Sequence, residues 1–133
     1  MKIVYSDKKT GRSAQMQLDN EKAGFLMNHR INETIDGSAL GLSGYKLKIT
    51  GGSDKSGFAM DRSISGSIKT KALRLVAKSG QKKGQYKRST VRGSMISNDT
   101  EQVNMVIVEY GDKPVTELFP ETAKKEKKEE AKA

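Results

Sequence analysis

Residues 45–50 read YKLKIT, and their alternation is strict: Tyr45, Leu47 and Ile49 fall on one side of an extended chain, Lys46, Lys48 and Thr50 on the other. A period of two is the mark of a strand with one buried and one wet face. Residues 103–110, VNMVIVEY, are apolar almost without interruption, which predicts a strand central in its sheet. At the N-terminus, KIVY (2–5) leads into the turn-rich DKKTG (7–11). SAQMQL (13–18) then alternates again, with Ala14, Met16 and Leu18 on one side. These three segments predict a β-hairpin.

Asp19 or Asn20 is placed to cap a short helix over residues 21–29, where Ala23, Leu26 and Met27 follow helical spacing. Residues 31–35 run into the turn signal Asp36-Gly37, and Leu40 and Leu42 alternate before Ser43-Gly44. GGSDKSG (51–57) reads as a loop closed by Phe58 and Met60. Residues 63–68 read as a short strand, and 73–76 as a further apolar segment. SGQKKGQYKRS (79–89) has little to bury and predicts an exposed, mobile loop. Asp112-Lys113-Pro114 ends the last strand, residues 115–119 predict a helical turn, and AKKEKKEEAKA (123–133) predicts a disordered charged tail. Thirteen glycines against two prolines favour many tight turns. The expected fold is mainly β, a small β-barrel with one or two short helices. It forms a single domain over residues 1–122, with the mobile basic loop at 79–92 and the tail at 123–133.

Charge gives the function class. Residues 62–98 hold ten Lys and Arg and no Asp or Glu, while the other 15 cations and 16 anions nearly cancel, so the net charge of +9 resides in this segment. Segregation on that scale makes a field for an extended polyanion, most commonly a phosphate backbone. The candidate RNA-binding residues are Arg62, Lys69, Lys71, Arg74, Lys78, Lys82, Lys83, Lys87, Arg88 and Arg92, with Tyr86, between Lys83 and Lys87, as either a ring for base stacking or one lying against the barrel. Ser79, Ser89, Thr90 and Ser94 add hydroxyl donors for phosphate oxygens.

Other chemistries find little support. There is no cysteine, so disulfides, thiolate metal sites and a Cys nucleophile are excluded. The single histidine, His29, stands beside Arg30 with no carboxylate or second ligand near it in sequence, and reads as a helix-end surface residue. ITGGSDKSGFAM (49–60) lacks both phosphate-loop and dinucleotide-loop spacing, and Asp54 lacks calcium-loop partners. No enzyme activity, cofactor, metal or small-molecule substrate is expected. The opening MKIVYSDKKTGRS turns polar within six residues and holds no secretory signal, and no apolar run spans a bilayer, which places the protein in the cytosol away from membranes.

DGSALGLSGYKLKITGGSDKSGFAM (36–60), STVRGSMIS (89–97) and VEYGDKPVTEL (108–118) together resemble the S-six-e family of small-subunit ribosomal proteins of archaea and eukaryotes, in its short archaeal form. The likeness covers nearly the whole chain. It implies a compact, mostly β barrel lodged against small-subunit rRNA beside neighbouring ribosomal proteins, doing structural work in the cytoplasmic ribosome and monomeric when free. By the same likeness, the basic residues of 82–92 correspond to an rRNA-contacting stretch. Eukaryotic members carry a long basic C-terminal helix with phosphorylation sites. No Ser or Thr follows Thr122 here, so that regulation is not carried over. Two alternatives remain: a free cytosolic RNA-binding or RNA-chaperone protein, and an enzyme using the Gly51–Gly57 loop as a phosphate cradle.

Overall fold

The computed structural model describes residues 1–111. The expectations for residues 112–114, 115–119 and 123–133 lie outside them. Seven strands, one helix and one 3-10 turn follow in the order β1 (Lys2–Asp7), β2 (Arg12–Gln17), α1 (Asn20–Leu26), β3 (Thr34–Asp36), the 3-10 turn Gly37–Leu40, β4 (Lys46–Asp54), β5 (Lys69–Leu75), β6 (Tyr86–Arg92) and β7 (Thr100–Glu109). Five strands form one sheet in the order β2-β1-β7-β4-β3, and β5 and β6 form a separate two-stranded sheet.

The apolar strand β7 lies at the centre, parallel to β1 and antiparallel to β4. The N-terminal hairpin β1–β2 forms as expected, from Lys2 opposite Gln17 to Asp7 opposite Arg12. The alternation of YKLKIT is obeyed, with Tyr45, Leu47 and Ile49 buried and Lys46, Lys48 and Thr50 exposed. Below this inner face lies one cluster of fourteen residues, among them Ile3, Tyr5, Leu26, Leu47, Ile49, Ile96, Val103, Met105 and Ile107.

The class is mainly β, but the strands do not close into a barrel. The apolar face needs a cover, and here helix α1, the 3-10 turn and the strand-like segment around Ile96 supply it. Leu26 and Leu40 plug in from above. Asn28 N–H donates to Ile96 O, Ile96 N–H to His29 O, and Ile31 N–H to Ser94 O, at 2.9–3.2 Å. A sheet covered in this way has no need to curl onto itself.

Other expectations shift at their edges. Helix α1 stops at Leu26 rather than at residue 29, because Met27 turns extended, with ψ of 143°, and Asn28 then takes a left-handed φ of 67°. Asp19 precedes the helix in extended conformation without a side-chain capping bond. The stretch GGSD is not loop: β4 runs on through Asp54, with register shifts at Ile49/Gly51 and Ser53/Asp54. Gly52 is required by close approach, since a Cβ there would lie 2.3 Å from the carbonyl oxygen of Gln102 on β7. Residues 63–68 form no strand; β5 begins at Lys69. Half of the expected 79–92 loop is strand β6, paired residue for residue with β5 from Lys69 opposite Arg92 to Leu75 opposite Tyr86.

Candidate nucleic-acid interface

The acid-free segment folds back on itself as the β5–β6 hairpin. Residues directly opposed in an antiparallel pair share a face, so the register sorts the side chains. One face carries Lys69, Lys71, Leu73 and Leu75 with Tyr86, Arg88, Thr90 and Arg92. The other carries Thr70, Ala72 and Arg74 with Lys87, Ser89 and Val91. The second face turns toward the body near its base, where Val91 is buried. The first face is open: Leu73 is 65% and Tyr86 67% exposed. Tyr86 therefore does not lie against the body, and its ring is free to stack.

The connection between the two strands is tied by backbone hydrogen bonds from Val76 to Gln85, Lys83 to Gly80 and Gln85 to Lys82, at 2.8–3.2 Å. It presents Lys78, Lys82 and Lys83, all exposed, at the far end. Lys69 sits nearer the base, its ammonium 4.5 Å from the centre of the Phe58 ring. Lys71, Lys87 and Arg88 are exposed along the strands.

Three of the sequence candidates stand apart. Arg92 is 18% exposed and is spent inside the fold: Nε donates to Asp54 Oδ2 at 2.8 Å, one terminal nitrogen to Ser67 O at 3.0 Å, and the other to Asp99 Oδ2 at 3.2 Å. It clamps the hairpin base to the end of β4. The guanidinium holds the Asp54 carboxyl below the usual carboxylate range, and Asp54 in turn raises the Arg92 pKa. Arg74 forms an ion pair with Asp61. Arg62 is exposed but lies off the hairpin, beside Thr50 on the outer face of the large sheet. Eight of the ten basic candidates thus keep their charge outward, and six of these (Lys71, Lys78, Lys82, Lys83, Lys87, Arg88) line the strands and tip of one projection.

Gly93, next to Arg92 in the VRGS stretch, is fixed by contact: a Cβ there would lie 2.0 Å from the carbonyl oxygen of Gly66. The Arg92-Gly93 pair is thereby explained as the joint between hairpin and body. His29 is not without a carboxylate, since its Nδ1 lies 2.8 Å from Glu33 Oε2, four residues on, and its ring packs on Phe25. The phosphate-cradle reading of residues 51–57 fails on backbone accounting. Gly51 to Ser53 pair with β7. Lys55 N–H donates to Asp99 O and Gly57 N–H to Asp54 O. Ser56 and Phe58 N–H donate to the Asp54 carboxylate. These amides are committed within the fold.

Sequence reasoning anchored on the acid-free segment passed over Lys8, Lys9 and Lys48, which gather with Arg62 on the outer sheet face. The signal was present for Lys48, whose alternation with Leu47 and Ile49 puts it on the wet side.

The family model for ribosomal protein S6e matches residues 1–120. The small ribosomal subunit protein eS6 of Methanothermobacter thermautotrophicus is 44% identical over 120 residues, covering 89% of this chain and 94% of that protein. The protein of the same name from Methanocaldococcus jannaschii is 46% identical over 121 residues, covering 89% of each. That of Nanoarchaeum equitans is 43% identical over 121 residues, covering 91% of this chain and 90% of the other. With matches of this extent over the very elements that build the sheet, the hairpin and its Arg92-Gly93 joint, the chain belongs to the ribosomal protein S6e family.

Proposed function

We propose that this chain holds small-subunit rRNA with the β5–β6 hairpin; as an S6e protein it is a structural constituent of the small ribosomal subunit, serving translation in the cytoplasmic ribosome rather than catalysing a reaction. The observation that carries the reading is the hairpin itself. It is an extended projection with cations on both faces and at its tip, and without one acidic residue between Arg62 and Asn98.

The mechanism is electrostatic. Lys71, Lys78, Lys82, Lys83, Lys87 and Arg88 meet backbone phosphates where rRNA helices crowd together, and release of condensed counterions drives binding. A two-stranded ribbon is stiff enough to reach between RNA segments, and Arg92 sets its angle from the body. Tyr86 offers a flat, exposed ring for an unstacked base. Neighbouring ribosomal proteins share the surroundings, and the free protein is monomeric.

A salt titration with a small-subunit rRNA transcript tests this. With six to eight phosphate contacts at roughly 0.7–0.9 each, log K against log salt has a slope of about −4 to −7. Changing Lys82, Lys83, Lys87 and Arg88 to Gln takes about 3 from that magnitude and blocks incorporation into subunits. A parent slope near zero, or a quadruple variant that assembles as well as the parent, overturns the reading.

A further inference from the structure

The outer face of the five-stranded sheet carries a second concentration of positive charge, away from the hairpin strands. Strands β4 and β7 turn Lys48, Thr50, Val106 and Val108 outward on this face, Lys48 being directly opposite Val106. The turn between β1 and β2 brings Lys8 and Lys9 to its edge, and Arg62 overhangs it from the segment after β4. These residues, with Tyr110, line an open cleft of about 520 Å³, and among the described residues no carboxylate stands in its wall.

Each part is held in place. The buried Asp7 organises the turn: it accepts from Lys9 N–H at 3.0 Å and from the Thr10 hydroxyl at 2.8 Å, and it takes a short hydrogen bond from the Tyr110 hydroxyl. That carboxylate pushes the Tyr110 pKa up to about 12, so the phenol stays protonated and donating. The Lys9 ammonium rests 4.5 Å from the centre of the Tyr110 ring. Lys8, Lys48 and Arg62 form no ion pair among the described residues, whereas the neighbouring Lys46 is neutralised by Glu109 at 3.1 Å.

The cleft continues. A second one of about 400 Å³ shares Thr50 and Arg62 with it and extends to Arg74 on β5, where the charge of Asp61 is cancelled by Arg74 itself. The two form one trough from the β1–β2 turn across β4 and β7 to the base of the hairpin. A set of surface lysines scattered for solubility would be interleaved with acids. Here four cations face one trough to whose walls the other described residues contribute only neutral and apolar groups besides the Asp61–Arg74 pair. An extended polyanion with apolar edges, a run of RNA phosphates and riboses, fits that chemistry.

We infer that this trough, with Lys8, Lys9, Lys48 and Arg62 as its phosphate ligands, is a second rRNA-binding surface, and that the protein joins two stretches of rRNA, one on the hairpin and one along the sheet. The inference rests on the rRNA reading above, and the experiment separates the two. Parent protein, a Lys8→Gln/Lys9→Gln/Lys48→Gln variant, and the hairpin quadruple variant are titrated with salt against the small-subunit rRNA transcript. The sheet variant loses about 2–3 from the magnitude of the slope, on top of the hairpin loss when the two sets are combined. In parallel, acetylation of the folded parent shows Lys8, Lys9 and Lys48 protected several-fold by the RNA. Lys22, on helix α1 at the opposite side of the sheet, keeps its reactivity. A sheet variant with the parent's slope, beside a hairpin variant that has lost its share, overturns the second surface and leaves the hairpin reading standing. Protection of the three lysines only in assembled subunits, and not by rRNA alone, assigns the trough to a protein neighbour and equally overturns it. The acetylation arm needs no variant, so it decides the matter even if the triple substitution misfolds.

Discussion

The five-stranded sheet and the β5–β6 hairpin are built from similar β material and put it to opposite use. The sheet sends Ile3, Leu47, Ile49, Val103, Met105 and Ile107 into one sealed cluster, to which no residue of the hairpin strands belongs. The hairpin leaves Leu73, Leu75 and Tyr86 on an open face, and Ile68 and Val76 just outside its strands are exposed as well. Two strands with one wet apolar face are marginal on their own. Surface of this kind on a strongly basic ribbon is kept for a partner. The sheet is therefore where stability is made, and the hairpin is the part that the proposed function assigns to binding.

The sharpest way to break this contrast is to cut the core. Ile107 is 4% exposed beside Leu47 on the central strand, and Ile107→Ala should cost about 2–5 kcal/mol in lost transfer energy and cavity. Leu73→Ala on the hairpin, the same kind of truncation, should fall within about 0.5 kcal/mol of the parent. Urea unfolding of both variants checks the pair, with the m-value as the control for two-state behaviour. Equal losses would mean that the hairpin contributes to the core after all.

The joint between the two regions comes next. Gly93→Ala puts a methyl group against the Gly66 carbonyl, backbone that cannot swing aside, and overpacking of this kind costs about 1–3 kcal/mol. Gly11→Ala at the β1–β2 turn, with nothing within 4 Å of the added carbon, separates crowding from the strain of a left-handed φ. Thermal midpoints in which Gly93→Ala loses no more than Gly11→Ala would remove the steric account of the joint.

The legibility of the sequence divides along the same line. Strands with a period of two or a continuous apolar run, β1, β2, β4 and β7, could be read directly because burial dictates their pattern. The hairpin could not, since β6 buries only Val91 and no apolar alternation marks it. Its pairing is recorded only in the complementary lengths of two polar segments. The barrel expectation failed for a related reason, because the cover of the sheet comes from helix α1 and an irregular segment whose contacts are long-range. The candidate interface was legible as net charge but not as geometry. Arg92 looks in sequence like any other cation, and only the three oxygens around it reveal a clamp.

That clamp predicts a pH response. Asp54, bonded to Arg92, and Asp7, bonded to Tyr110, both ionise below the ordinary value of 3.8 in the fold. Groups lowered in this way contribute stability fully above that value and lose it as pH falls through the lowered folded values. Stability should thus be flat from neutral pH to about pH 5 and fall steeply below pH 4. Arg92→Gln removes the Asp54 share, so the variant should be less stable than the parent at pH 7 and approach it at pH 2–3. Denaturation midpoints across that range check this, and parallel curves for the two proteins would show that the Arg92–Asp54 bond carries no pH-linked stability.

The smallest effect is expected where the charge is greatest. Lys82, Lys83, Lys87 and Arg88 are exposed and form no ion pair among the described residues, and exposed charges contribute little to folding. Like charges crowded on one ribbon repel, so their replacement by Gln should leave the thermal midpoint unchanged or raise it slightly, most visibly at low salt where screening is weakest. On the proposed function, the same substitution should take the largest single share from the affinity for rRNA. A hairpin variant that unfolds earlier than the parent at low salt would mean that these cations hold the fold together, and the division between a stabilising sheet and a binding hairpin would have to be redrawn.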